Sequence, residues 1–446
     1  MANPFVFMVL EDMEDEGDYR SGGLFPVKLG DVFGPEGSAR YRISAKLGYY
    51  GSYSTVWLAR DLVANRTVAL KIVRASETAT SRETAILKHL STATPGSHSP
   101  AVLQLLDSFI LTSANGSHQV LVTEPVILLD ALLALHGIQV DLRSVVHQAL
   151  EGLAFIYERG VVRLALFAPL FVFLITPNLY PRNMGAAIDL DSLTEVDIWS
   201  ECGPPSIIPL VTCEPAHDTA SFPPYLTAAL DLRGLLARGF APREPRRTLQ
   251  KSPHRRDATA PRAFMAPEIV FPIIAHGNRV PPWDWRADIW GMGCTISQIA
   301  GGGLPYEHSG THMLSGIATL CGGAPADWTT YFASVPDKIP PRAYTPQDAD
   351  ALWTKTMEYI QRWGQTAEDA RRLVASLRRM LVMDPMGRPS AAELLRDPYF
   401  VGTVLEDALP SVGGLSSLEP TINAQRIHED TSLTTSSYSS KDLDLG

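Results

Sequence analysis

Cysteine is scarce in this chain: Cys202, Cys213, Cys294 and Cys321 are the only four in 446 residues. None stands at the spacing of a metal-ligand set or a disulfide framework. That excludes a stapled secreted scaffold and points to a reducing compartment, cytoplasmic or nuclear. A basic stripe is lacking too. With a formal net charge of −10, direct nucleic-acid binding is not expected, while a basic protein partner is accommodated. The one long apolar run, LALFAPLFVFLI at 164–175, falls short of the about 20 residues a spanning helix needs and contains Pro169. The opening residues, MANPFVFMVLEDMEDEGD, put no basic region ahead of an apolar one and turn acidic at once. Neither a secretory leader nor a membrane attachment is expected.

What is present is a chain rich enough in apolar residues, 45%, to build cores for two or three packed units. From Arg40, the runs YRISAKLG, YSTVWLARD and TVALKIV read as three antiparallel strands, with Val68, Leu70 and Ile72 alternating against Ala69 and Lys71. SRETAILKHLSTA has helical spacing, and VLQLLDSFIL and HQVLVTEPV flank the turn SANGS as two further strands. A five-stranded sheet with one helix is the expectation. After Val126 the pattern becomes helical, first in LRSVVHQALEGLAFIYERG, which ends at Gly160. Later helices are expected over 287–300, 310–321, 346–363, 367–383 and 390–396. The fold class is therefore α+β and bilobal. Its expected parts are a lead-in over 1–39, a β lobe over 40–126 and a mainly helical lobe over 127–402. That lobe carries an apolar insertion near 163–177, and a Ser, Thr and Gly-rich disordered tail follows over 403–446.

Chemistry enters with LGYYGSYSTVW followed by VALKIV. Small residues in a strand–turn–strand let backbone N–H groups approach triphosphate oxygens, and Lys71 at that distance supplies positive charge. A plain hairpin turn accounts for Gly48 and Gly51 almost as well on their own. Glu83, on the following helix, is placed to pair with Lys71, or else is a solvated carboxylate on a helix face.

The same segments, RYRISAKLG, YSTVWLARD, VALKIV and VLQLLDSFILTSANGSHQVLVTEPV, resemble the small lobe of the SR-protein kinases, and GDYRSGGLFPVKLGDVF resembles that family's lead-in. RAFMAPEIVF is similar to the end of a kinase activation segment, ADIWGMGCTI to the central helix, and MLVMDPMGRPSAAELLRDPYF to the last helical region. The resemblance, covering residues 18–400, implies a Ser/Thr protein kinase that uses ATP and Mg2+ and acts on Arg/Ser-rich protein substrates. It implies adenine beneath Leu47, Val56 and Ala69, hinge backbone at Glu124 and Val126, and Thr123 as gatekeeper. It also implies a Glu268–Arg388 ion pair. Asp288 is expected to accept hydrogen bonds from the catalytic-loop backbone, or to be an ordinary helix cap.

The resemblance breaks in the middle. A kinase catalytic loop needs an aspartate to accept the substrate's proton and, five residues later, an asparagine for Mg2+. Here NLYPRN supplies Asn183 at the metal position but Asn178 at the base position, with Thr176 where a histidine is expected. The apolar stretch directly before it, rich in residues that a pyrimidine tract would encode, reads as retained intron sequence over 163–178; a genuine pseudokinase is the rival. Asp231, in DLRG, is the candidate for the second metal-binding aspartate, with a loop or helix-cap aspartate as the plainer reading. One extra tyrosine, Tyr49 or Tyr50, separates Gly48 from Gly51.

Overall fold

The computed structural model describes residues 13–49, 53–91, 101–128, 142–160, 184–210, 220–232, 235, 262–276, 283–306, 312–323 and 344–401. Gly51, Thr176, Asn178 and Asn183, the apolar stretch over 163–177 and the tail over 403–446 lie outside the described residues.

Alternation in the first part resolves into an antiparallel sheet ordered β1-β2-β3-β4-β6-β5. Its strands are β1 (Val32–Phe33), β2 (Tyr41–Tyr49), β3 (Ser54–Asp61), β4 (Arg66–Val73), β5 (Leu105–Ser113) and β6 (Gly116–Thr123). Five were expected, and the sixth, β1, is a two-residue edge strand donated by the lead-in. Two helices follow β4: the short α1 (Ala75–Thr78), and α2 (Glu83–Ser91) at the expected place.

The pleat sends successive side chains to opposite faces, and each face has its own core. Trp57, Ala59, Val68, Leu70, Ile72, Val120 and Val122 form the outer core, with Val27 of the lead-in laid across it. Ala45 and Leu58 point the other way, into the large core shared with the helical lobe. Ile43 belongs to the outer core and Ala45 to the inner one, although two residues apart along a strand should share a face. The reason is a bulge between them, the first of two register shifts along β2. Arg40 anchors one end of the sheet: its guanidinium forks onto the buried Asp61 carboxylate at 3.0 Å on both arms and reaches Asp107 at 3.3 Å.

In the second lobe, β7 (Val126–Leu128) pairs with β8 (Gly185–Ala187). The helix α3 (Leu142–Glu158) lays Val145, Val146, Ala149, Leu150 and Leu153 into the shared core. It stops at Gly160, whose φ of 66° suits a residue without Cβ. After α4 (Glu195–Cys202) comes a hairpin of β9 (Ile207–Pro209) and β10 (Tyr225–Thr227), which the sequence pattern did not disclose. The helix α5 (Pro267–His276) precedes α6 (Trp285–Ser297), which is buried along nearly its whole length and capped by Asp284, whose carboxylate accepts from the Arg286 N–H. Then follow α7 (Met313–Leu320), α8 (Pro346–Arg362), α9 (Ala367–Met380), α10 (Ala391–Leu394) and α11 (Pro398–Val401). The first four match expected helices with ends trimmed by a few residues, while α11 was not expected; a π-turn, Gln298–Gly302, finishes α6.

Candidate active site

The inner face of the small-lobe sheet is where the predicted nucleotide residues meet. Register places Gly48 opposite Val56 and Val56 opposite Lys71. The next row runs from Leu58 to Ala69 to Thr123. Cross-strand neighbours share a face, so Gly48, Val56, Ala69, Lys71 and Thr123 line one surface, with Val56 and Ala69 buried. The half-buried Leu47 packs against the shared core. Thr123 is buried and donates its hydroxyl hydrogen to the Glu124 carbonyl, 3.1 Å away. Val126 follows within the stretch that starts β7.

Lys71 brings a cation with a defined partner to this surface. Its ammonium donates to both oxygens of Glu83, at 2.8 and 2.6 Å, from the first residue of α2. Both side chains are about nine-tenths buried, so Glu83 is not a solvated helix-face carboxylate. A paired ammonium held this way is a fixed positive charge on the inner face of the sheet.

Two further family-like positions fall in the helical lobe. Arg388, 3% exposed, donates bidentately to Glu268 at 2.7 and 2.8 Å. It also donates to the carbonyls of Val382, Met383 and Arg286, and its guanidinium lies 5.2 Å from the Trp290 ring centroid. Asp288 is buried at the start of α6 and accepts from the Tyr157 hydroxyl at 2.8 Å; burial pushes that phenol well above its ordinary range, and the neighbouring Asp288 carboxylate pushes it further. The helix-cap reading of Asp288 is corrected, because Asp284 caps α6. The catalytic-loop backbone that Asp288 was expected to hold lies outside the described residues.

The metal and base positions are less complete. Asn178 and Asn183 lie outside the described residues. Asp231 is exposed and stands at the end of a segment that joins the sheet: Ala229 bridges Lys46 in parallel, and the Leu230 N–H donates to the Lys46 carbonyl at 2.7 Å. Among the described residues no three His, Cys, Asp or Glu side chains cluster as a metal centre. A single carboxylate suits Mg2+ carried on a nucleotide, since that ion is bound through one or two carboxylates plus phosphate oxygens. The β9–β10 hairpin and its joint with the lead-in were missed from the sequence. The only signals there were two short β-rich triplets, IIP and YLT.

No protein-family model matches the chain. A serine/threonine protein kinase of Aspergillus fumigatus is 27% identical, over 85% of this chain and 88% of its own length. The serine/threonine-protein kinase SRPK of Physarum polycephalum is 29% identical, over 87% and 92%. Human SRSF protein kinase 3 is 33% identical over 44% of this chain and 34% of its own. The relatives that span most of the chain make it similar to serine/threonine protein kinases, the SR-protein kinases among them, and a serine/threonine protein kinase by that resemblance.

Proposed function

We propose that this chain binds ATP with Mg2+ and transfers the γ-phosphoryl group to serine or threonine of Arg/Ser-rich proteins, in the cytoplasm or nucleus. The observation that carries the reading is the Lys71–Glu83 pair, with Lys71 on the same sheet face as Gly48, Val56 and Ala69. Leu47, Val56 and Ala69 would enclose the adenine, and the Glu124 and Val126 backbone would pair with its edge. Thr123 stands behind it, and the backbone about Gly48 and Gly51 would face the phosphates. Lys71 would neutralise phosphate charge while Glu83 prevents the ammonium from swinging away. Asp231 and Asn183 are the residues that would hold Mg2+, which shields phosphate charge when bound. Phosphoryl transfer asks little covalent chemistry of the protein, so positioning and fixed charges supply most of the catalysis. No helix among the described residues is long and apolar enough to cross a membrane, and no direct nucleic-acid contact is part of the proposal.

A second reading rests on Asn178. An amide cannot accept the substrate's proton as a carboxylate does, and this favours a pseudokinase that binds nucleotide or partners without turnover. Both are tested by γ-phosphate transfer to an Arg/Ser-rich peptide by three proteins: this chain, Asn178→Asp, and a version lacking residues 163–177. Transfer by the unaltered chain supports the kinase reading; transfer only by Asn178→Asp shows that the amide stops turnover and supports the pseudokinase, and transfer only after the deletion marks that stretch as retained intron sequence. Silence in all three, with nucleotide still bound, establishes the pseudokinase.

A further inference from the structure

The outer face of the small-lobe sheet holds a buried ion pair that the nucleotide site does not use. The bulge between Ile43 and Ala45 turns Lys46 onto that face, opposite Trp57. Its side chain is 0% exposed, and the ammonium sits 5.7 Å from the Trp57 ring centroid. It is met by the Glu14 carboxylate of the lead-in, itself 1% exposed, and the Tyr19 hydroxyl donates to the other Glu14 oxygen at 2.6 Å. Burial pushes the Lys46 ammonium down, to about 7.

The same lysine's backbone carries the joint with Leu230, so one residue ties together three segments: the lead-in by its side chain, β2 by its place in the sheet, and the approach to Asp231 by its carbonyl. The lead-in also grips the β9–β10 hairpin directly. The Leu29 N–H donates to the Tyr225 hydroxyl at 3.0 Å. The Asn115 amide spans the carbonyls of Leu24 and Ser221 at 2.7 and 2.8 Å. Leu226 packs with Met13, Tyr19 and Leu24, flanked by Ile208, Leu210 and Phe222.

A buried ion pair is a poor way to gain stability, because apolar residues of the same volume do as well or better. What it does supply is register: the ammonium is set against the Glu14 carboxylate. Gly48 lies two residues after Lys46, and Asp231 directly follows Leu230. We propose that Glu14 and Lys46 are positioning residues of the nucleotide site, a clamp by which the lead-in sets the phosphate-facing turn and the metal-binding aspartate at fixed separation. The inference rests on the reading of Gly48 and Asp231 given above.

The test is binding of a non-hydrolysable ATP analogue, with and without Mg2+, to the whole chain, Glu14→Gln, Lys46→Met and the double variant. It is run at a temperature where all are folded, with hydrogen exchange read at the Leu230 amide. The clamp predicts that each single change weakens binding about tenfold with Mg2+ and less than about threefold without it, and that the double variant is no weaker than Lys46→Met, as for residues acting as one unit. Leu230 exchange should quicken about tenfold or more in each variant as the joint opens locally. A merely structural pair would lower the melting temperature and leave the Mg2+ dependence alike in all four proteins, which overturns the clamp. If the unaltered chain binds no analogue, the nucleotide reading falls. Leu230 exchange then decides separately whether the lead-in holds the Asp231 approach, and unchanged exchange in Glu14→Gln refutes it.

Discussion

Arg388 and Glu268, 120 residues apart in the chain, meet as a parallel two-armed pair whose guanidinium side is fully enclosed. Every Arg388 donor group, Nε and both terminal nitrogens, has a carbonyl or carboxylate acceptor. The pair staples the first turn of α5 to the loop between α9 and α10. Removing one member leaves the other charge buried without its counterion, which costs about 3–5 kcal/mol. Glu268→Gln should therefore lower the urea midpoint strongly at unchanged slope. Arg388→Lys should fare little better, because an ammonium cannot reproduce the planar fork. A loss within 1 kcal/mol, about the level of an exposed pair, would contradict this account.

The Lys71–Glu83 pair predicts a different signature. Lys71→Met removes the charge offered to phosphate, and a charge-assisted hydrogen bond of about 1.5–3 kcal/mol corresponds to roughly 10- to 150-fold in nucleotide affinity. Glu83→Gln leaves the ammonium in place but frees it to rotate, so its loss should be smaller. Titration calorimetry with ATP and Mg2+ reads both. Equal losses in the two variants would mean that Glu83 contacts the nucleotide itself.

The sheet face that carries the proposed nucleotide residues was legible because it is local: alternation fixes the face, and VALKIV sets Lys71 two residues beyond Ala69 on the same side. Glu83 was within reach for the same reason, being the first residue of the next helix. Lys46 was not. Plain alternation from Ile43 puts it on the inner face, and only the bulge, invisible in RISAKLG, reverses that. Nor could spacing disclose that residues 13–29 and the β9–β10 hairpin dock on one another, since both partners are short apolar scatterings with no period. Asp288 was correctly placed as buried, while the cap beside it belongs to Asp284, four residues earlier, and two aspartates flanking one helix start read alike in sequence.

Gly301 offers a backbone test. Its φ of 84° lies in the left-handed region, and a Cβ there would run into the Trp363 ring. The exposed ring can turn aside, but the Trp363 Cβ, 2.6 Å from the added carbon, cannot, so Gly301→Ala should cost more than the about 1–2 kcal/mol of the backbone strain alone. Adding Trp363→Ala should not recover it. Chemical denaturation of the single and double variants checks this; recovery in the double would assign the cost to the ring instead.

His118 gives the small lobe a pH dependence whose sign follows from its surroundings. It is fully enclosed, its Nδ1 lies 3.1 Å from the Val73 carbonyl and its Nε2 2.9 Å from the Ser113 hydroxyl. Phe25 meets it edge-on. A carbonyl only accepts, so Nδ1 carries the hydrogen and Nε2 accepts from Ser113. Burial disfavours the imidazolium and holds the folded-state value below 6.5, although the Val73 carbonyl works in the opposite direction. The folded chain thus binds fewer protons than the unfolded one between that depressed value and 6.5, and stability rises with pH across this window. Above 6.5 both states are neutral and the contribution is flat. Acidification below about 6.5 should therefore loosen the lobe, and His118→Gln, which cannot titrate, should flatten that part of the profile. Melting temperatures from pH 5 to 8 for the two proteins measure it: parallel curves would place the acid sensitivity elsewhere, and a steeper curve for the variant would reverse the sign.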